Sequence, residues 1–125
     1  MNLLTTLAGA RVTETPAAAM RTYASPSADS TADVSVWRTE MKPDTSGPVH
    51  VIDTDHVVVV LEGSLRATVD GATVEAGAGD CVLLPRDAER QLVAGPQGVV
   101  TLTAAQPGST ARAGDADPVR VPWAS

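Results

Sequence analysis

The stretch from Gly47 to Gly71 reads GPVHVIDTDHVVVVLEGSLRATVDG. Its centre, His56 to Leu61 (HVVVVL), is an almost unbroken apolar run. Branched side chains are stiff about χ1 and favour extended backbone over helix. The run does not alternate, so it predicts a strand covered on both faces. Gly63-Ser64 predicts a turn, and Leu65 to Val69 a return strand. Asp70-Gly71 is a two-residue hairpin signal, because such residues accept the positive φ that tight hairpins require.

The same rhythm continues downstream. Ala72 to Glu75 reads as a strand, Gly77-Ala78-Gly79-Asp80 as a turn, and Cys81 to Leu84 as an apolar strand stopped by Pro85. Gln91 to Ala94 and Val99 to Ala104 follow as strands around a turn at Gly95-Pro96-Gln97-Gly98. Upstream, Val34 to Met41 (VSVWRTEM) alternates, with Trp37, Thr39 and Met41 on one face and Val36, Arg38 and Glu40 on the other. Lys42 to Pro48 reads as a loop. Met20 to Ser25 reads as a short strand ended by Pro26, and residues 26–32 as a polar loop. Residues 1–19 carry little periodicity and predict an irregular arm with at most one helical turn. The Gly-, Ser-, Ala- and Asp-rich stretch from Pro107 to Asp117 reads as a mobile tail, with Pro122-Trp123 anchoring its end.

Short strands at this spacing indicate a sandwich or barrel. The expected organisation is an arm and loop over 1–33, an antiparallel all-β barrel with one pocket over 34–106, and a tail over 107–125.

Composition narrows the function. The chain of 125 residues fits one domain, and its 43% apolar content supplies one core. Phe is absent and the aromatics are Tyr23, Trp37 and Trp123, so the core is built from Val, Leu, Ala and Ile. A net charge of −6 with nine scattered basic residues argues against nucleic acid, which needs a clustered basic face. The first ten residues lack a basic start and are too short to span a membrane, so no membrane association and a cytoplasmic location are expected. Scarce Lys with plentiful Ala, Gly, Arg and Pro reads as a bacterial composition. The single cysteine, Cys81, excludes an intramolecular disulfide and reads as a small buried apolar residue. Gly77-Ala78-Gly79 leads into a strand, whereas a phosphate cradle needs a following helix.

Gly47 to Gly71, followed by GAGDCVLLPRDAERQL (77–92), resembles the two motifs of the cupin family. The resemblance covers residues 47–92 and extends to the flanking strands, about 34–104. It implies a small jelly-roll β-barrel that is often dimeric. Metal-dependent members hold their ion inside the barrel, through two histidines and a glutamate in the first motif and a histidine in the second. His50 matches the first histidine. Ile52 stands where the second would be, His56 where the glutamate would be, and Arg90 where the last histidine would be. Pro85 matches the second motif, and Asp87 replaces its glycine.

A divalent ion needs three or four converging N, O or S donors. His50 and His56 supply two, Ile52 none, and Arg90 is a permanent cation that would repel the ion. Asp53, Asp55 or Glu89 would have to complete the set. The expectation is a pocket without a standard metal site, with a divalent metal on His50 and His56 as the alternative. The histidines read either as inert pocket-lining groups or as a proton-transfer pair, since imidazole titrates near neutral pH. Arg90 reads either as a structural partner of Glu89, Asp87 or Asp53, or as a clamp for a carboxylate, enolate or phenolate. Trp37, Met41 and Ile52 read as core or pocket wall. As pocket wall they favour a flat or apolar ligand.

Three function classes follow. The first is a metal-independent isomerase, lyase or cyclase using His50, His56 and Arg90 on a small molecule, of the kind some cupins perform in secondary-metabolite pathways. The second is a metal-dependent enzyme such as an oxygenase. The third is a non-catalytic ligand-binding module. A homodimer is expected in each.

Overall fold

The computed structural model describes residues 3–28 and 33–125. Part of the loop expected over residues 26–32, and the first two residues of the arm, lie outside the described residues. Ten strands, all paired antiparallel, make up more than half of the described residues. They are β1 (Arg11–Glu14), β2 (Ala18–Ala24), β3 (Ser35–Met41), β4 (His50–Ile52), β5 (His56–Val69), β6 (Ala72–Gly77), β7 (Cys81–Leu84), β8 (Glu89–Ala105), β9 (Thr110–Arg112) and β10 (Val119–Arg120). The sheet runs β1-β2-β3-β8-β4-β9-β10, and β5 pairs with β6, β7 and β8. The fold is an all-β antiparallel jelly roll whose sheet curls around its own interior.

Two long strands organise it. β5 and β8 pair along almost their full length, from His56↔Ala105 to Val69↔Arg90. The turns expected at Gly63-Ser64 and Gly95–Gly98 are not chain reversals. They are bulges inside these two strands. Extra residues here change the side-chain phase, as a bulge must. His56, Val58 and Val60 point inward before the bulge in β5, and Leu65 and Ala67 after it. In β8 the inward set changes from Arg90 and Ala94 to Val99, Thr101, Thr103 and Ala105. Gly63 (φ 77°) and Gly98 (φ 78°) permit the bend. A Cβ on Gly63 would lie 2.1 Å from the Gly98 carbonyl oxygen, so no other residue fits.

The sheet also extends beyond the expected barrel at both ends. The supposed irregular arm of residues 1–19 contains β1, which pairs from Arg11↔Thr22 to Glu14↔Ala19 with β2, the strand expected at Met20 to Ser25, here begun two residues earlier. Met20 and Thr22 are buried. Alanine is a poor strand former, but burial against β3 overrides that weak preference. The segment read as a mobile tail contains β9, which pairs with β4 through Val51↔Arg112 and Ile52↔Ala111. Hydroxyl groups hold the following turn, Pro122–Ala124. Thr22 Oγ1 donates to the Trp123 carbonyl (2.7 Å) and Ser35 Oγ to that of Ala124 (2.6 Å).

Two apolar clusters result. One gathers Met41, Val58, Val60, Leu65, Leu84 and Val99, and the other Met20, Trp37, Ala105, Val121 and Ala124. Cys81 belongs to neither. It is exposed, because β7 alternates and the inward places go to Val82 and Leu84.

Candidate active site

A cavity of about 740 Å³ opens inside the curled sheet. Trp37 and Met41 reach it from β3, His50 and Ile52 from β4, His56 from β5 and Arg90 from β8. The six positions singled out in the sequence therefore line one space. Alternation explains the selection: His50 and Ile52 are two apart on β4, and so share a face. Residues 50 and 90 are direct cross-strand partners.

His50 is half-buried, and its Nδ1 lies 2.8 Å from the Pro48 carbonyl oxygen. A carbonyl oxygen only accepts, so Nδ1 carries the proton and Nε2 keeps its lone pair. Loss of solvation lowers the His50 pKa, the Pro48 contact raises it in part, and Arg90 lowers it further. His56 is only 4% exposed. Desolvation first, then the charges of Arg90 and His50, push its pKa down to about 4. Both imidazoles are thus held toward the neutral form. The Trp37 and His56 rings meet edge to face, with centroids 5.2 Å apart and an interplanar angle of 76°.

Arg90 is 1% exposed and has no carboxylate partner among the described ion pairs. The structural pairing considered with Glu89, Asp87 or Asp53 does not form. Instead Nε donates to the Ala88 carbonyl (3.2 Å) and Nη2 to that of Pro85. Nη1 is buried without a hydrogen bond. Desolvation lowers the Arg90 pKa, and the more distant Asp55, Asp70 and Asp87 oppose it.

The donor set does not fit a divalent ion. Among the described residues no three His, Cys, Asp or Glu side chains converge. The carboxylates that would complete the set are committed elsewhere. Asp53 accepts from Thr110 N (2.8 Å) and Thr110 Oγ1 (2.9 Å), which lowers its pKa. Asp55 accepts from Arg86 N (2.7 Å). Glu89 points outward. A guanidinium occupies the wall instead, and its charge opposes a second cation.

Sequence reasoning missed a buried polar group beside His56. Ser109 is fully buried, with Oγ 2.6 Å from Thr54 Oγ1 and 3.4 Å from His56 Nε2. Nothing local marks it, since its partners lie more than fifty positions away. Thr101 and Thr103 line the cavity and were not singled out in the sequence either; the inward alternation of β8 selects them.

An antiparallel jelly roll closed around a cavity, with two imidazoles and a guanidinium on its wall, is a protein of the barrel type. Residues 37–105 match the family described as Cupin domain, and the chain belongs to that family. No protein of curated function matches the sequence. Among solved structures, an RmlC-like cupin from Shewanella frigidimarina NCIMB 400 superposes with a TM-score of 0.73 at 17% identity, covering 86% of this chain and 92% of that one. The polyketide cyclase RemF from Streptomyces resistomycificus gives 0.71 at 24% identity, covering 85% and 80%. A sugar phosphate isomerase of the cupin superfamily from Silicibacter pomeroyi DSS-3 gives 0.62 at 22%, covering 78% and 67%. These likenesses establish the fold.

Proposed function

We propose that this cupin is a metal-independent pocket enzyme that moves protons on a small carbonyl compound. The observation that carries the reading is the pairing of His50 and Arg90. His50 presents an unprotonated Nε2 beside the one charged side chain among the described residues of the cavity wall, a guanidinium with an unused donor.

The chemistry follows from those two groups. His50 Nε2 takes a proton from the carbon next to a carbonyl. The C–H electron pair forms the C=C bond of an enolate, and the carbonyl π pair moves onto oxygen. Arg90 stabilises that oxyanion where water is excluded. Return of the proton to another carbon gives an isomerase. Loss of a β-substituent gives a lyase, and attack of the enolate carbon on a second carbonyl gives a cyclase. His56, neutral and buried, serves as the second proton carrier.

The test needs no natural substrate. Aryl ketones with an acidic C–H are incubated with the protein in deuterated water, and exchange is followed by mass spectrometry. The expected result is catalysed exchange that His50→Ala and Arg90→Ala each remove while the circular dichroism spectrum stays native. Exchange equal to the uncatalysed rate, or undiminished in both variants, refutes the reading.

We also propose a cytoplasmic homodimer with no nucleic-acid or membrane partner. The outer face of the sheet supports self-association. Leu83, Val57, Ala104 and Val36 form one cross-strand row on adjacent strands, beside Cys81, Val59 and Leu102. A second copy laid on this face would cover it. Light scattering reads the mass, and Leu83→Lys should yield the monomer. No described helix is long and apolar enough to cross a membrane.

A further inference from the structure

His56 stands between the cavity and a pair of hydroxyls that lie outside it. Its Nε2 is 3.4 Å from Ser109 Oγ, and Ser109 Oγ is 2.6 Å from Thr54 Oγ1. Neither hydroxyl residue lines the cavity. Ser109 is fully buried, whereas Thr54, in the loop between β4 and β5, is half-buried. The line from His56 through Ser109 to Thr54 therefore leads from the interior toward water. The other ring nitrogen, Nδ1, has no hydrogen-bond partner among the described residues, yet the one sealed and unpartnered side-chain atom among them is Arg90 Nη1. Nδ1 thus keeps contact with open space, and the space that His56 borders is the cavity. An imidazole can take a proton at one nitrogen and give one up at the other.

The remaining fully buried hydroxyls show what a structural arrangement looks like. Thr22 Oγ1 donates to the Trp123 carbonyl (2.7 Å), Ser25 Oγ to the main-chain oxygen of Ser125 (2.8 Å) and Ser35 Oγ to the Ala124 carbonyl (2.6 Å). Such an oxygen only accepts, so each of these bonds is a dead end for a proton. Ser109 Oγ instead sits between two groups that can each donate or accept. A main-chain carbonyl would satisfy its proton equally well, so the need for a partner does not by itself select this arrangement. The loops that carry the two hydroxyls are also tied together. Thr110 N and Oγ1 donate to the Asp53 carboxylate, Asp53 N donates to the Thr110 carbonyl (3.2 Å) and Val121 N to the Ser109 carbonyl (3.0 Å). The three side chains are thus held in line before any ligand arrives.

We infer that Ser109 and Thr54 form a proton relay that connects His56, and through it the cavity, with solvent. The inference rests on the role of His56 as second proton carrier proposed above. When His56 is charged, its Nε2–H bond breaks and the proton passes to Ser109 Oγ. That oxygen releases its own proton to Thr54 Oγ1, which releases its own to water. Each hydroxyl forms one O–H bond and breaks one, the ring is left neutral, and the positive charge leaves as hydronium. The reverse sequence reloads the ring. The relay allows His56 to be reset while a ligand fills the cavity and closes the direct route.

The probe is water itself. Exchange of the His56 Nε2 proton with solvent is followed by NMR on the full chain carrying ¹⁵N-labelled histidine. Ser109→Ala should slow this exchange by about 10²-fold, the scale of one positioned proton-transfer group. Thr54→Val should slow it similarly, and it decides the matter if Ser109→Ala does not fold. Thr54→Ser keeps the hydroxyl and should exchange at the wild-type rate. Ser35→Ala removes an equally buried hydroxyl that ends on a carbonyl, and should leave the exchange unchanged. An unchanged rate in folded Ser109→Ala or in Thr54→Val overturns the relay, as does equal slowing in Ser35→Ala. This readout needs no substrate and stands apart from the deuterium-exchange assay. In that assay Ser109→Ala and Thr54→Val should lower kcat and leave KM unchanged, because neither residue borders the cavity. Full kcat in variants whose ring proton exchanges slowly would overturn the part of the relay in turnover. Absence of catalysed exchange in the wild type would overturn the enzymatic reading alone, with the NMR result still deciding the relay.

Discussion

The outer and inner surfaces of the sheet treat arginine in opposite ways. Outside, Arg66 pairs with Glu75 (2.9 Å), Arg38 with Glu40 (3.3 Å) and Arg86 with Asp55 (3.7 Å). Inside, Arg90 has two backbone carbonyls and no carboxylate. These three outer arginines are paired where water makes pairing nearly worthless, and the inner one is unpaired where burial makes isolation expensive. Packing alone does not select that pattern. It becomes understandable when the missing counter-charge is part of a ligand.

The largest expected effect comes from removing the inner cation. Arg90→Met should lower turnover by about 10²–10³, the usual consequence of losing one oxyanion donor. The same variant should raise stability by about 1–2 kcal/mol, because an unpaired buried charge disappears. Denaturant titration reads this. A destabilised Arg90→Met protein would mean that the guanidinium serves the fold first.

The next effect is the response to acid. His56 titrates near its ordinary value when unfolded and at about 4 when folded. Between pH 6.5 and 4 the unfolded chain therefore binds a proton that the folded chain refuses. Stability should fall by about 3 kcal/mol as pH drops through that window. His56→Gln should flatten the curve there, which melting at a series of pH values would reveal.

Ser109→Ala should cost about 1 kcal/mol, since it leaves Thr54 Oγ1 without its partner. The smallest effect belongs to the outside. A double-mutant cycle on Arg66 and Glu75 should return about 0.5 kcal/mol, shrinking further in salt. A coupling several times larger would erase the contrast between the two surfaces.

Much of this was legible in the chain. The central strands followed from β-branched runs and turn residues, and the motif positions led to His50, His56 and Arg90. The bends were misread because Gly63 and Gly95–Gly98 carry the same chemistry as reversals. Only the long-range pairing of β5 with β8 distinguishes a bulge from a turn. Cys81 was misplaced because an apolar run of four carries no phase until its neighbours are known. β9 lies in a composition that reads as loose, and its order comes from pairing with β4. Ser109 was invisible for the same reason, since its contacts are set entirely by the fold.

The paired glycines also make the wall of the barrel read in two separate frames. Residues 56–60 are in one frame and residues 65–69 in the other, with the extra residue between them as the spacer. Deleting one residue between Val60 and Leu65 would leave the cavity end of β5 as it is. At the far end it would turn Leu65 and Ala67 to solvent and bring Arg66 and Thr68 inside. Lineages carrying this wall should therefore tolerate substitution at Leu61, which is exposed, far better than loss of its position.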